Sequence, residues 1–159
     1  MSSRNSLPQT HKIVQILPPR TTNGGQTSGG ISLKNANKAW IIVDLDQAVG
    51  HATALTLKQA TDVALGTNAA GPVSPIWANE DCAADDTLAA QTAAADYTVT
   101  NDIKTKQVVF EVDPATLTEG YPVVYVTLAD SSQATNFGAV TAILESKYQG
   151  ATQPSAIID

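Results

Sequence analysis

The feature that most constrains this chain is the lack of any long segment with helical periodicity. In its place stands a succession of short, β-branched apolar runs separated by Gly, Pro, Asn and Asp. Apolar residues at every second position fit a pleated strand and do not fit one face of a helix. Residues 38–45 (KAWIIVDL) are apolar almost throughout and read as a strand buried on much of both faces. Residues 53–60 place Leu55 and Leu57 on one side and Thr56 and Lys58 on the other. Residues 106–112 gather Val108, Phe110 and Val112 on one face and turn Glu111 away. Residues 97–100 form a short alternating run, and 122–128 and 138–145 are two further β-branched strands. Residues 71–78 carry Pro72 and Pro75, which cannot donate to a ladder, so this strand is expected at a sheet edge or as an irregular one. With a strand-like run at 11–17, the total is about eight or nine strands, the pattern of an all-β sandwich or barrel.

The segments between these runs are short. Asp113 followed by Pro114 predicts one helical turn over 113–117, with the carboxylate capping free N–H groups and proline at the first helical position. The Ala-rich stretch 82–95 has too few large apolar residues to dock a helix and reads as a long loop with one turn. Near the N-terminus, Pro18 and Pro19 are expected to block strand pairing. The segment TTNGGQTSGG over 21–30 is either a surface loop or a hinge. The expected organisation is a flexible N-terminal arm with a Gly-rich hinge over 1–30, one β-sandwich domain over 31–148 and a short C-terminal tail over 149–159.

Charge and cysteine content exclude several function classes. Nine Lys and Arg stand against 15 Asp and Glu, for a net charge of −6. Such a balance is unsuited to phosphate backbones or anionic lipid, so neither nucleic acid nor a membrane is expected as a partner. No apolar run approaches the ~18–20 residues of a membrane span, and the first residues lack the apolar stretch of a signal peptide. Cys82 is the sole cysteine, so no internal disulfide forms.

No catalytic, cofactor-binding or metal-ligating residue is nominated. His11 and His51 lie far apart in polar settings without the ligand spacing of a zinc site, and read as surface histidines. Cys82 follows Glu80 and Asp81, which disfavour a thiolate, and reads as a partly buried structural thiol. Asn79, Glu80, Asp81, Asp85, Asp86, Asp44 and Asp46 could supply hard oxygens. No calcium-loop pattern links them, and they read as solvated loop carboxylates in preference to a calcium site or a glycosidase pair. The glycines at 24–25 and 29–30 precede neither a Gly-Lys-Ser/Thr motif nor a helix, so they form no phosphate loop, and no nucleophile elbow occurs. Trp40 is expected in the core, and Trp77 either there or at an exposed contact.

One stretch has a familiar order. Leu33, Lys34 and Asn35 lead into the apolar strand 39–43, then a loop with Gly50, then the run 56–63 (TLKQATDV). Ile76 and Trp77 with Asn79, the strand 108–113 running into 115–117, and Tyr148 follow. Over 31–148 this order resembles the small virion proteins of tailed bacteriophages that decorate, or cement, the assembled head. The chain departs from their usual Gly-Thr-Gly-Ala-Lys type loop, reading ALGTNAA over 64–70.

The resemblance implies a late-expressed β-sandwich structural subunit without enzymatic activity or cofactor. It would be made in the host cytoplasm and placed on the outer capsid surface. Its implied partners are the major capsid protein and copies of itself, as a homotrimer. Bridging neighbouring shell subunits would make its contacts act together through effective concentration. The alternative readings are a neck, tail or fibre component of the virion, or a cell-surface or carbohydrate-binding module.

Overall fold

Alternating apolar positions pair here into two antiparallel sheets packed face to face. The computed structural model describes residues 6–158. A four-residue helical turn, α1 (Leu7–Thr10), precedes β1 (His11–Thr21), β2 (Gln26–Thr27), β3 (Ile31–Ser32), β4 (Ala36–Asp46), β5 (Ala54–Ala60) and β6 (Asn68–Ala70). There follow β7 (Ser74–Asn79), β8 (Ala89–Ala94), β9 (Asp96–Thr98), β10 (Thr105–Val112), β11 (Val123–Leu128) and β12 (Phe137–Ser146). The first sheet runs β1-β12-β4-β10-β7-β8; the second runs β2-β11-β5-β6, with β3 on β11 and β9 on β5.

The result is a sandwich and not a closed barrel. Its eight longer strands (β1, β4, β5, β7, β8, β10, β11 and β12) approach the number expected, and two- or three-residue pieces raise the total to 12. The core lies between the sheets. Ile41 and Val43 of β4, Val108 and Phe110 of β10 and Val140 of β12 face Leu55 and Leu57 of β5 and Val124 and Val126 of β11, all fully buried. Each such side chain stabilises the fold by roughly 1.5–3 kcal/mol.

Several expectations are corrected. Residues 11–30 do not form an arm on a hinge. β1 pairs with β12 along its length, and the register shifts between Gln15 and Leu17 and between Leu17 and Arg20, so the ladder accommodates Pro18 and Pro19 at the sheet edge. The Gly-rich segment is stitched to the second sheet: Gly24 N donates to Asp130 Oδ1 (2.6 Å), Thr22 Oγ1 to Ser131 Oγ (2.8 Å) and Val126 N to Ser28 Oγ (2.9 Å). Gly30 is required by close approach, since a Cβ there would lie 2.8 Å from Val123 Cγ1 and 2.9 Å from Leu65 Cδ2. The C-terminal tail is also tied down, with Ser32 N donating to the buried Ala156 O (2.7 Å) and Lys12 Nζ to Pro154 O (2.8 Å). The arm's residues 1–5 and the tail's residue 159 lie outside the described residues.

β7 is irregular but is not an edge, because β8 flanks it and a register shift between Ser74 and Ile76 accommodates Pro75. The edge strand β8 comes from the Ala-rich stretch expected as a loop. An edge strand held by its backbone ladder needs no large apolar face. The turn after β10 forms as read, a 3-10 turn over Pro114–Thr116 with Asp113 accepting from Ala115 N (2.9 Å).

Candidate functional site

In an antiparallel sheet, residues opposite one another in the register share a face, so the pairings give the outer surface of the first sheet directly. Ile13 of β1 faces Ile143 of β12, which faces Trp40 of β4, which faces Glu111 of β10. In the adjacent row Gln15, Thr141, Ile42, Val109, Trp77 and Ala90 cross all six strands. These two rows form a largely apolar stripe in which Ile13 is 48% and Trp77 36% exposed. The second sheet differs. Its outer face carries Thr27, Thr127, Thr56 and Lys58, and its apolar end, Val123, Tyr125 and Ala60, is covered by Val63 and Leu65 of the chain itself.

Trp40 therefore lies on the outer face, half-buried, and not in the core as expected. Its Nε1 donates to Glu111 Oε1 (3.3 Å), Lys38 Nζ lies 5.3 Å from its ring centroid, and the His11 ring centroid lies 5.8 Å away. Lys38 also pairs with Glu111 (3.1 Å), which balances that carboxylate. Trp77 takes the exposed of its two expected placements.

At one end of the stripe the face deepens into a groove of about 520 Å³. Asp44, Asp46, Gln107 and Ala139 lie along the sheet, Phe137 and Pro19 stand on one side, and Cys82, Asp85 and Asp86 stand on the other. The latter wall is a fastened loop. Lys106, with a fully buried side chain, donates to Thr100 O and to Thr100 Oγ1 (2.9 Å) and pairs with Glu80 (3.3 Å). Glu80 accepts from Tyr97 Oη (2.8 Å) and from Thr100 N (3.2 Å). Lys104 pairs with Asp81 (2.9 Å), Cys82 N donates to Thr105 O (2.9 Å), and Asn79 Nδ2 donates to Asp85 O (2.7 Å).

The electrostatics follow this geometry. Burial, reinforced by the hydrogen bond to Glu80, pushes the Tyr97 phenol up to about 12. The hydrogen bond from Lys104 holds Asp81 below the usual carboxylate range, and the backbone N–H of Thr87 does the same for Asp85. Desolvation first, then the charges of Asp44 and Asp81, raise the Cys82 thiol. Cys82 is exposed, not partly buried as expected, and is kept protonated.

The acidic residues singled out in the sequence do come together at this end of the face, apart from Glu80 and Asp81, which serve the wall. Among the described residues no group of three His, Cys, Asp or Glu is placed to hold a metal ion. His11 and His51 are half-buried on separate elements; His51 Nδ1 lies 3.2 Å from Thr53 Oγ1. Lys106 is the residue that sequence reasoning missed. Its signal was parity, since it shares the inward face of β10 with Val108, Phe110 and Val112. Among the described residues, no helix is long and apolar enough to cross a membrane.

No family model matches the chain, and no curated protein matches it. Among solved structures it is similar to the crystal structure of SPBc2 prophage-derived protein YomS. The TM-score is 0.49 and the identity 10%, over 84% of this chain and 91% of that chain.

Proposed function

We propose that this chain is a structural virion protein without enzymatic activity, a decoration subunit that binds the assembled phage head and cements neighbouring major capsid proteins. The sequence resemblance over 31–148 supplies the class. The observation that carries the reading is the apolar stripe that the described residues leave uncovered on one outer face of a sandwich whose other outer face is polar or covered by its own loop. Sandwich sheets normally alternate apolar-inward with polar-outward residues, and a contiguous outward apolar patch marks an interaction surface. A specific interface of standard size buries about 800 Å² on each partner, a scale suited to a six-strand sheet face. A homotrimer on the outer capsid surface would present three such faces, and their linkage would resist shell expansion through effective concentration.

The test adds the purified full chain to expanded shells of the parent particle lacking it, and separately to the free capsid subunit. Co-sedimentation with shells only, together with higher heat resistance of the loaded shells, is the expected result. Ile13→Ser with Trp77→Ser should abolish attachment, with a cooperative thermal transition of the isolated variant verifying that it remains folded. Absence of co-sedimentation, attachment by the double variant, or localisation to the tail of the particle overturns the proposal.

A further inference from the structure

We infer that the groove at the acidic end of the face takes an extended segment of the partner protein in which apolar and basic side chains alternate. The inference rests on the reading of this face as an attachment surface and adds the chemistry of what lies in it.

The first observation is shape. The groove lies between Pro19 and Phe137 on one side and the 82–86 loop on the other, and the outward-facing Ala139 on its floor projects only a methyl group. The open floor beside Ala139 leaves room for a main chain. Phe137, 44% exposed, supplies an apolar flank continuous with the stripe beyond it, since β12 carries Ala139, Thr141 and Ile143 onward along the same face.

The second observation is charge. Asp44, Asp46, Asp85 and Asp86 all line the groove, and among the described residues none of these four carboxylates makes an ion pair. Asp44 accepts only from the neutral Gln107 Nε2 (2.9 Å) and Asp85 from the backbone of Thr87 (2.9 Å). An occupant that covers them must bring positive charge, because covering an uncompensated carboxylate with neutral surface is costly.

The third observation is preorganisation. A lysine with no exposed side chain, and a second ion pair between Lys104 and Asp81, fasten the loop that carries Asp85 and Asp86. A wall held before binding spares the partner the cost of ordering it.

A second copy of this chain does not fit. A two-fold contact through this face would add the same carboxylates again. Five of the chain's own cations are engaged internally, and the others among the described residues, Arg20, Lys34 and Lys58, stand on separate segments and form no basic run. Among the described residues Lys38, Lys104 and Lys106 are in internal ion pairs, and Lys12 and Lys147 donate to the carbonyls of Pro154 and Lys34. The partner is therefore a different protein with a basic segment.

The experiment titrates the full chain with three synthetic peptides of equal length: valine alternating with lysine, valine with glutamate, and serine with lysine. Binding is followed by amide chemical shifts. The valine–lysine peptide is expected to bind at least about tenfold tighter than either control, and to move the amides of Asp44, Gln107 and Ala139. Its affinity should fall with rising salt and be lost in Asp44→Asn/Asp46→Asn/Asp85→Asn/Asp86→Asn, whose thermal unfolding verifies folding. Equal binding of the two lysine peptides would reduce the groove to a diffuse acidic surface, and shifts away from it would misplace the site; each overturns the inference. Shell attachment kept by the quadruple variant removes the groove's role and leaves the face intact. Peptide binding without shell attachment keeps the groove and removes the head assignment.

Discussion

Lys106→Met is the sharpest probe of how this face is held. Methionine keeps most of the buried stem and deletes the ammonium, with its contacts to Thr100 O, Thr100 Oγ1 and Glu80. Hydrogen bonds from a charged group contribute about 1.5–3 kcal/mol each, against a desolvation cost of several kcal/mol for the buried ion. Breaking a fully buried pair from one side typically costs about 3–5 kcal/mol. Here Glu80 stays 27% exposed, and it retains Tyr97 and Thr100 as donors, so water and these partners absorb part of its demand. The loss is therefore expected at about 2–4 kcal/mol, a fall in Tm of about 5–15 °C for a chain of this size.

Urea and thermal unfolding followed by circular dichroism measure the loss, with an unchanged denaturant slope marking an effect on stability alone. Hydrogen exchange adds a local readout. The Cys82 amide, bonded to Thr105 O, should exchange faster as the wall loosens, while core amides of β4 follow only the global change. A cycle with Glu80→Gln should give a coupling of at least about 1 kcal/mol between the two side chains. A Lys106→Met variant as stable as the parent, with exchange at Cys82 unaltered, would refute the reasoning. The buried amine would then return only what its desolvation costs.

Three further outcomes are expected. Gly71→Ala should destabilise by about 1–3 kcal/mol in denaturant unfolding, because its Cβ would lie 2.4 Å from the backbone oxygen of Leu57, which cannot swing aside. Stability should fall in alkali as pH rises from the ordinary tyrosine value of 10 towards about 12, because the folded state keeps Tyr97 protonated where the unfolded chain does not. Tyr97→Phe should flatten that decline in a pH series of unfolding curves. Asp130 accepts from Ser132 N (2.7 Å) and Gly24 N (2.6 Å), which hold its carboxyl below 3.8, so its contribution is present above that pH and lost as pH falls through the lower folded value. Asp130→Ala should lower Tm at neutral pH and show a shallower acid decline than the parent.

What the sequence made legible was whatever depends on local chemistry. Strand alternation in β5 and β10 is a period-two pattern that burial enforces, and Asp113 with Pro114 caps a turn without help from the rest of the chain. Pairing partners are long-range, and local patterning is silent on them. That is why β1 reads as an arm: Pro18 and Pro19 weaken a strand in isolation, yet register shifts against β12 accommodate them. β8 was hidden for the opposite reason, since Ala-rich residues carry little strand signal and only the neighbouring β7 holds them extended. At the candidate site the carboxylates were visible as residues, but their convergence required Asp44 and Asp46 of β4 to meet Asp85 and Asp86 from a distant loop.

The one apolar pattern that misleads about packing is also the one that ties the fold to a role. Residues 38–45 predict burial on both faces, whereas β4 has a partner sheet on only one: Ala39, Ile41 and Val43 are buried, and Lys38, Trp40 and Ile42 point outward. Strand propensity does not demand that outward set. On the second sheet the same structural need is met by Thr56 and Thr127, β-branched residues that remain hydrated without penalty. Placing Ile42, Ile143 and Trp77 outward instead leaves apolar area in water at about 25 cal/mol per Å², a cost recovered only when something covers it. The chain covers the corresponding apolar end of its other sheet with Val63 and Leu65. Among the described residues it brings no such loop over β4, so the cover for this face is expected from outside the chain. Ile42→Thr, at a half-buried site, should therefore cost the isolated protein about 1 kcal/mol or less in unfolding while weakening attachment to the shell. A large stability loss with attachment unchanged would show that Ile42 serves the fold alone.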